Sequence, residues 1–478
     1  MSNTQTIESR SPQDPSDVVA TVPDSGTDAV ARAVRRAREA ARGWAATPAV
    51  QRASMLNAAA DRLAAAHDEV SGLVVREVGK PVGEARQEVT RGVGILRYHA
   101  QAALDPDGET YPLAPPADRT SLLMSRRRPR GVAGLITPWN FPVAIPLWKA
   151  APALAYGNAA VLKPAPESSA LGVRLGELLG GVLPEGVLTV VTGGGEAGRA
   201  LVELADVASF TGSVGAGFSV ARAAAERGIA VQAEMGGQNA SIVLPDADLE
   251  TTASVVAGAA MGYAGQKCTA TSRVIVVGDP DRVAAFTGAL VAAVEKLGRG
   301  DPADEGVAVG PVIRADARDR VLEAAEEARS RGGRVATGGT AGDGPGWFVA
   351  PTVVDGLAPD ARLAQEEVFG PICAVLRAAA VDEAVALSNG VPYGLVTSVF
   401  TSDLGSALRV VDELDTGLVR VNQPTSGVDF HAPFGGEKQS SIGPREQGKQ
   451  ARELYTSSHT VTIAPPAGAG APAAVPGA

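Results

Sequence analysis

Between Val132 and Glu234 short apolar runs alternate with helix-compatible stretches, and that alternation restricts the fold more than any other feature of the chain. The runs are Val132–Thr137, Ala159–Lys163, Val187–Thr192, Val207–Thr211 and Ala230–Glu234. Each has the length of a strand and ends in polar or turn residues. Between them lie Pro146–Ala155, Ser168–Leu179, Glu196–Leu204 and Gly215–Ala225, which suit helices. Strand, helix, strand in steady succession means βαβ units and a parallel sheet covered on both faces. Such a sheet binds ligands beyond the carboxyl ends of its strands. A second series runs from Ser241–Leu244 through Arg273–Val277, Ile372–Leu376 and Thr397–Thr401 to Leu418–Asn422, and reads as a second α/β lobe. The fold class is therefore α/β.

The rest of the chain frames these two series. From Thr27 to Trp44 the positions Val30, Val34, Ala37 and Ala41 share a helical face, with Thr27 as N-cap. Amphipathic helices continue to His99, broken near Gly79–Pro81. A proline-rich stretch from Asp105 to Asp118 marks an excursion or boundary. From Pro465 to Ala478 only Pro, Ala, Gly and Val occur, so residues 465–478 are expected to be a disordered tail.

Composition excludes several functions. The 478 residues carry a net charge of -10, which argues against nucleic acid and against an anionic membrane surface. The run Arg126, Arg127, Arg128, Arg130 is the local exception and reads as a solvated strand edge. The two cysteines, Cys268 and Cys373, do not suggest a disulfide framework and point to a reducing compartment. His67, His99, His431 and His459 have no ligand spacing, so no metal site is expected. No secretory signal and no membrane span are visible, which makes the cytoplasm the expected location.

Three residues invite chemistry, and each has a plainer role open to it. Cys268, in Gly265-Gln266-Lys267-Cys268-Thr269, sits among polar and turn residues ahead of a strand. It is either a nucleophile or a small inert side chain. Cys373, inside an apolar run, fits the inert role. Glu234 closes an apolar strand one residue before Gly236-Gly237, as a general base or as a solvated strand end. Asn140 lies between two aromatics and two prolines, as an oxyanion donor or as a turn residue. Gly193-Gly194-Gly195 and Gly212-Ser213-Val214-Gly215 follow strands and open helices, as anion sites or as ordinary turns.

Together these segments resemble the aldehyde dehydrogenase superfamily from about Ala29 to Tyr455. The strings that carry the resemblance begin with Thr137-Pro138-Trp139-Asn140-Phe141-Pro142, Lys163-Pro164, Phe210-Thr211-Gly212-Ser213 and Glu234-Met235-Gly236-Gly237. Gly265-Gln266-Lys267-Cys268, Glu366 to Pro371, Asn389 with Pro392 to Leu395, and Pro433-Phe434-Gly435-Gly436 continue it in the family's order. The 34-residue interval from Glu234 to Cys268 is also the family's.

The resemblance implies a Rossmann-like cofactor lobe at 1–110 and 131–234, a catalytic lobe at 235–440, and a small β oligomerisation flap at 111–130 and 455–464. It implies Cys268 as nucleophile, Glu234 as the base that activates water, and Asn140 as oxyanion donor. NAD or NADP would be held by Lys163 at the adenosine ribose, by Ser213 and Gly212 at the pyrophosphate, and by Glu367 and Phe369 at the nicotinamide end. Trp139 and Pro166 belong to the same cofactor set. Phe141, Phe430, His431 and Phe434 would line the substrate path, with His431 as a donor. The partner is a small-molecule aldehyde, and the assembly a homodimer or homotetramer.

Two departures from the family stand out. Pro166 replaces the glutamate that many NAD-preferring members carry three residues after the lysine, with Glu167 one place later. The segment Ser440-Ser441-Ile442-Gly443-Pro444-Arg445-Glu446 is one residue longer than usual, which leaves the position of Glu446, a relay carboxylate in the family, open. The strings Gly265 to Arg273, Gly427 to His431 and Gly443 to Gly448 resemble the α-ketoglutaric semialdehyde dehydrogenase branch. The expected reaction is oxidation of a short semialdehyde to the acid. The alternatives are an aromatic or simple aliphatic aldehyde, or a coenzyme A-acylating reaction.

Overall fold

The computed structural model describes residues 5–114 and 121–466. The expected tail lies outside the described residues from 467 on, as does 115–120 of the expected flap.

The first apolar series forms a six-stranded sheet. Its order is Ser441–Ile442, Ala230–Glu234, Val207–Thr211, Val132–Ile136, Ala159–Lys163, Leu188–Val190. All neighbours are parallel except the first pair, where Ser441–Ile442 returns antiparallel onto Ala230–Glu234. Every residue of the three central strands is buried, which is why they read as unbroken apolar runs. The strand order reverses beside Val132–Ile136, whose neighbours are the second and fourth parallel strands of the series. The rule for such sheets puts ligand binding at this switch point, beside Thr137–Asn140 and Gly212–Ser213.

The second series builds a seven-stranded sheet. Its order is Arg334–Thr337, Thr352–Asp355, Ile372–Ala378, Thr271–Val277, Asn239–Val243, Val396–Phe400, Leu418–Val421. Only Arg334–Thr337 is antiparallel. The chain passes from the carboxyl end of Ala230–Glu234 to the amino end of Asn239–Val243 through Met235, Gly236, Gly237 and Gln238 alone. The carboxyl edge of the first sheet thus faces the amino edge of the second, and the loop carrying Cys268 enters Thr271–Val277 on that amino edge.

A third sheet of three strands joins Thr110–Tyr111, Leu122–Pro129 and Thr456–Ile463. The arginine run lies on its middle strand rather than on a solvated edge. Arg127 and Arg128 pair with Ser458 and Ser457, and on the other side the N–H of Arg127 donates to Asp107 O. Arg127 also forks onto Glu453 at 2.7 and 2.9 Å. At the N-terminus, helix Thr27–Ala46 is capped by Gly26, whose carbonyl accepts from Ala29 and Val30; Thr27 is its first residue and not its cap.

The Cys268 loop is the most constrained backbone near the seam. Tyr263, Ala264 and Gly265 adopt φ of 55°, 51° and 65°. Two non-glycine residues in that region cost about 1–3 kcal/mol each, so surrounding contacts must hold them. Tyr263 donates its hydroxyl to Val78 O at 3.2 Å. Gln266 donates to Tyr263 O and Pro311 O, each at 3.3 Å, and accepts from Ile313 N at 2.8 Å. Asn239 Nδ2 donates to the carbonyls of Cys268 and Ala270, each at 2.8 Å. A Cβ at Gly265 would lie 2.2 Å from Gly370 O. Gly265→Ala is therefore expected to lose about 1–3 kcal/mol or more in denaturant unfolding. Gly258→Ala, on an exposed helical position with nothing near its Cβ, should gain about 0.5–1 kcal/mol. Equal effects at the two sites would refute the strain assigned to this loop.

Candidate active site

Three loops converge at the seam. Asn140, buried just beyond the Val132–Ile136 strand, donates Nδ2 to Gln266 O at 3.0 Å and so ties the switch-point loop to the Cys268 loop. Cys268 is partly exposed there. Burial pushes its thiol up to about 12, and the nearby carboxylates of Glu367 and Glu234 push the same way. Cys373 is fully buried inside Ile372–Ala378, where burial alone pushes it up to about 12. Only Cys268 of the two has charged neighbours and access.

Glu234 closes its strand in a dry, acidic pocket. Burial, then the neighbouring Glu446, push it up to about 8; Ser441, Lys149 and Gln232 pull it down. Its Oε1 accepts from Gln232 Nε2 at 2.9 Å, and its Oε2 accepts from Ser441 Oγ. Behind it the network continues inward. Ser209 Oγ donates to Gln232 Oε1 at 2.8 Å and bonds Glu446 Oε1 at 3.2 Å. Lys149 Nζ donates to Ser209 Oγ at 2.8 Å and pairs with Glu446. Lys149 and Glu446 are both buried, and desolvation pushes each toward its neutral form against the pull of the pair.

On the other side of the seam are groups that fit a dinucleotide. Lys163 is buried and its Nζ donates only to the carbonyls of Pro164 and Gly193, both at 2.8 Å; burial pushes it down to about 8. Pro166 opens a short 3₁₀ turn, and Glu167 beside it pairs with Arg314. Ser213 caps the 13-residue helix Val214–Glu226, whose first turn has no side-chain cap and no acidic residue. Gly215 has open space around its Cβ direction, and Gly212 is pressed by the Phe210 ring. Glu367 accepts from Gly237 N at 3.1 Å, and burial pushes it up to about 7. Phe369, at φ 58°, meets Trp139 edge-on at 5.8 Å. Free helix N–H groups suit a diphosphate. A buried lysine and a partly buried carboxylate at opposite ends suit the two riboses.

Cys268 also opens on a cavity of about 230 Å³. Phe141, Trp148, Phe434 and Val428 form its apolar walls, and Glu84, Gln87, Glu88 and Arg91 present a polar side.

The chain matches the family described as "Aldehyde dehydrogenase family" over residues 1–461. It belongs to the aldehyde dehydrogenase family. It is 39% identical to an α-ketoglutaric semialdehyde dehydrogenase of Bacillus subtilis, covering 96% of this chain and 95% of that one. It is 40% identical to an α-ketoglutarate semialdehyde dehydrogenase of Haloferax volcanii, with the same coverage. Its fold matches betaine aldehyde dehydrogenase of Staphylococcus aureus, solved in complex with NAD⁺, at a TM-score of 0.92 and 31% identity, over 96% of this chain and 92% of that one.

Not every residue expected in this aldehyde dehydrogenase site arrives there. Phe141 and Phe434 line the cavity, but His431 and Phe430 do not. His431 is exposed and meets only the edge of the Phe430 ring, and Phe430 packs on Gly94 and Tyr98 instead. The position left open for Glu446 is a buried one. The backbone turns at Gly443 (φ 87°), and Phe434 and Glu446 exchange backbone hydrogen bonds at 2.8 Å. Lys149, Ser209, Gln232 and Ser441 escape a reading by motif. One signal was available: Lys149 is the only charge in Ala144–Ala155, a helix whose every residue is buried. A charge buried on all sides needs a partner.

A carboxylate can act as a base only when ionised, and burial delays the ionisation of Glu234. Turnover should therefore rise with pH through about 8 instead of levelling off in the ordinary carboxylate range. Lys149→Gln removes a cation that favours the ionised form and should move this limb to higher pH. A rate independent of pH between about 6 and 9.5 would contradict the assignment.

Proposed function

We propose that this aldehyde dehydrogenase oxidises a short aliphatic semialdehyde, α-ketoglutaric semialdehyde first, to the carboxylic acid with NAD⁺ or NADP⁺. The observation that carries the reaction is the convergence of an accessible thiol, a buried carboxylate and a buried amide at one seam. The substrate class is supported by 36–40% identity to relatives named for that semialdehyde or for 2,5-dioxopentanoate.

Cys268 loses its proton to the solvent of the cavity it opens on, and its sulfur adds to the aldehyde carbon, giving a thiohemiacetal. Asn140 spends one amide hydrogen on Gln266 O, which leaves the second for the oxyanion beside the backbone N–H of Cys268. Lys163, Ser213, Gly212, Glu367 and Phe369 would hold the dinucleotide, whose nicotinamide would supply the acceptor for the hydride of that carbon. The carbonyl re-forms as a thioester on Cys268. Glu234 takes a proton from water, the hydroxide adds to the thioester carbon, and the thiolate leaves as the acid forms. The proton on Glu234 then passes to the departing Cys268 thiolate and restores the resting thiol, while the Gln232, Ser209, Lys149 and Glu446 network holds Glu234 and sets its ionisation.

The three-stranded sheet suits self-association into a homodimer or homotetramer, because Thr456–Ile463 pairs on one side only among the described residues. No helix among the described residues is long and apolar enough to cross a membrane.

Cys268→Ala should abolish oxidation while the dinucleotide still binds, and Cys373→Ala should be nearly silent. Glu234→Gln should give a stoichiometric burst of reduced cofactor in rapid mixing and then a slow phase, with no rescue of the wild-type rate pattern by coenzyme A. Turnover by Cys268→Ala, or unaltered steady-state turnover by Glu234→Gln, refutes the mechanism.

The cofactor prediction comes from the adenosine end. Pro166 supplies no carboxylate to repel a 2′-phosphate, and Arg314 partly neutralises Glu167. Relief of that repulsion is worth about a kcal/mol or more in a partly desolvated site. Both NAD⁺ and NADP⁺ should support turnover. Activity with NAD⁺ and none with saturating NADP⁺ would overturn this argument.

A further inference from the structure

One cation of the substrate cavity has no part in the reaction just described. Glu84, Gln87, Glu88 and Arg91 line the cavity from helix Val82–Ala102. Their spacing, i, i+3, i+4 and i+7, is one face of a helix. The charges along this face are matched one by one until Arg91. Glu84 accepts from Lys267 Nζ at 2.8 Å. Glu88 pairs with the buried Lys80 and also accepts from Val143 N and Ala144 N at 2.8 and 2.9 Å. Arg91, half-buried, has no ion pair and no hydrogen bond among the described residues. Both acids that line the cavity with it are already neutralised. The other polar lining groups, Gln87, Lys267, Thr269 and Ser426, include no further acid. Asp429 is exposed and is not part of the lining. The cavity therefore holds one uncompensated guanidinium.

Its place along the cavity follows from the helix. The Glu84 end is tied to Lys267, the residue before Cys268. Beyond Arg91, Gly94 and Tyr98 pack against Phe430 in the loop at 427–431. Arg91 lies between the nucleophile and that loop, about 10 Å along the helix from Glu84.

We propose that Arg91 is the specificity-determining residue of this site and binds the distal carboxylate of an ω-oxo acid whose aldehyde carbon reaches Cys268. A guanidinium offers a planar fork that matches a carboxylate in two parallel hydrogen bonds. The aromatic walls strip water from the contact, and the carbon chain between the two ends needs only the apolar surface of Phe141, Trp148 and Phe434. This assignment rests on the semialdehyde reading above and supplies the group that recognises its charge.

The test uses substrates of equal length that differ in the carboxylate. Glutaric semialdehyde, α-ketoglutaric semialdehyde and pentanal are compared in the wild type, Arg91→Gln and Arg91→Lys. In Arg91→Gln, kcat/KM for both oxo acids should fall about 30-fold or more, mainly through KM, while pentanal stays within about threefold. Arg91→Lys should recover part of the loss. Equal losses for oxo acids and pentanal would make Arg91 a structural residue and overturn the proposal. A wild-type preference for the oxo acids that survives Arg91→Gln overturns Arg91 alone. A wild type that prefers pentanal over glutaric semialdehyde overturns the semialdehyde reading and the role of Arg91 with it.

Discussion

Four residues, Met235 to Gln238, carry the chain from the end of one sheet to the start of the next. So short a link fixes the carboxyl edge of the first sheet against the amino edge of the second. Glu234 is on one side of it and Asn239 on the other. Asn239 in turn holds the carbonyls of Cys268 and Ala270, so the link also sets the height of the nucleophile's loop. The glycines are required by what passes over them. A Cβ at Gly236 would fall 1.9 Å from Glu367 Oε2, and one at Gly237 would fall 2.5 Å from Asn239 Oδ1. Glu234, Cys268 and Glu367 thus depend on one stretch of backbone.

Burying ions around that stretch has consequences for both stability and chemistry. Lys80 with Glu88 and Lys149 with Glu446 are pairs withdrawn from water. Removing one member of such a pair typically costs about 3–5 kcal/mol, because the other is left charged and dry. The second pair does more than persist. Glu446 is close enough to Glu234 to push its ionisation up, and Lys149 is close enough to oppose that push. Burial and the neighbouring carboxylates push both Cys268 and Glu234 toward their neutral forms.

What could be read from the sequence follows the same physics. Central parallel strands are buried on both faces, so Ala159–Lys163 and Val207–Thr211 stand out as apolar runs with their true ends. Cys268, Glu234 and Asn140 lie in short local motifs, and the structure brings all three to one seam. The amino-edge position of Cys268 was hidden, because an α/β pattern says which end of a strand usually binds ligands but not how two sheets abut. Lys149 and Glu446, which are 297 residues apart, meet only through tertiary packing. His431 misled for the opposite reason. Its neighbour Phe434 does line the cavity, and a loop of five residues is long enough to turn one side chain in and another out.

The adenosine end shows how far a local motif can mislead when the two lobes touch. By sequence, Pro166 and Glu167 belong to the cofactor lobe, and a comparison of that short string alone weighs one missing carboxylate against one displaced by a residue. Arg314, which pairs with Glu167, comes from the far side of the seam, at the start of helix Ala315–Ser330. Both partners are partly exposed, so the pair is screened and adds little to stability. Its effect is on the local field, since it lowers the negative potential that an incoming phosphate would meet near Lys163. A phosphate placed beside Lys163 would then meet a field set by Arg314 as much as by position 166. A substitution at Arg314, remote in sequence from any cofactor motif, would restore the full charge of Glu167 and shift selectivity toward the unphosphorylated ribose.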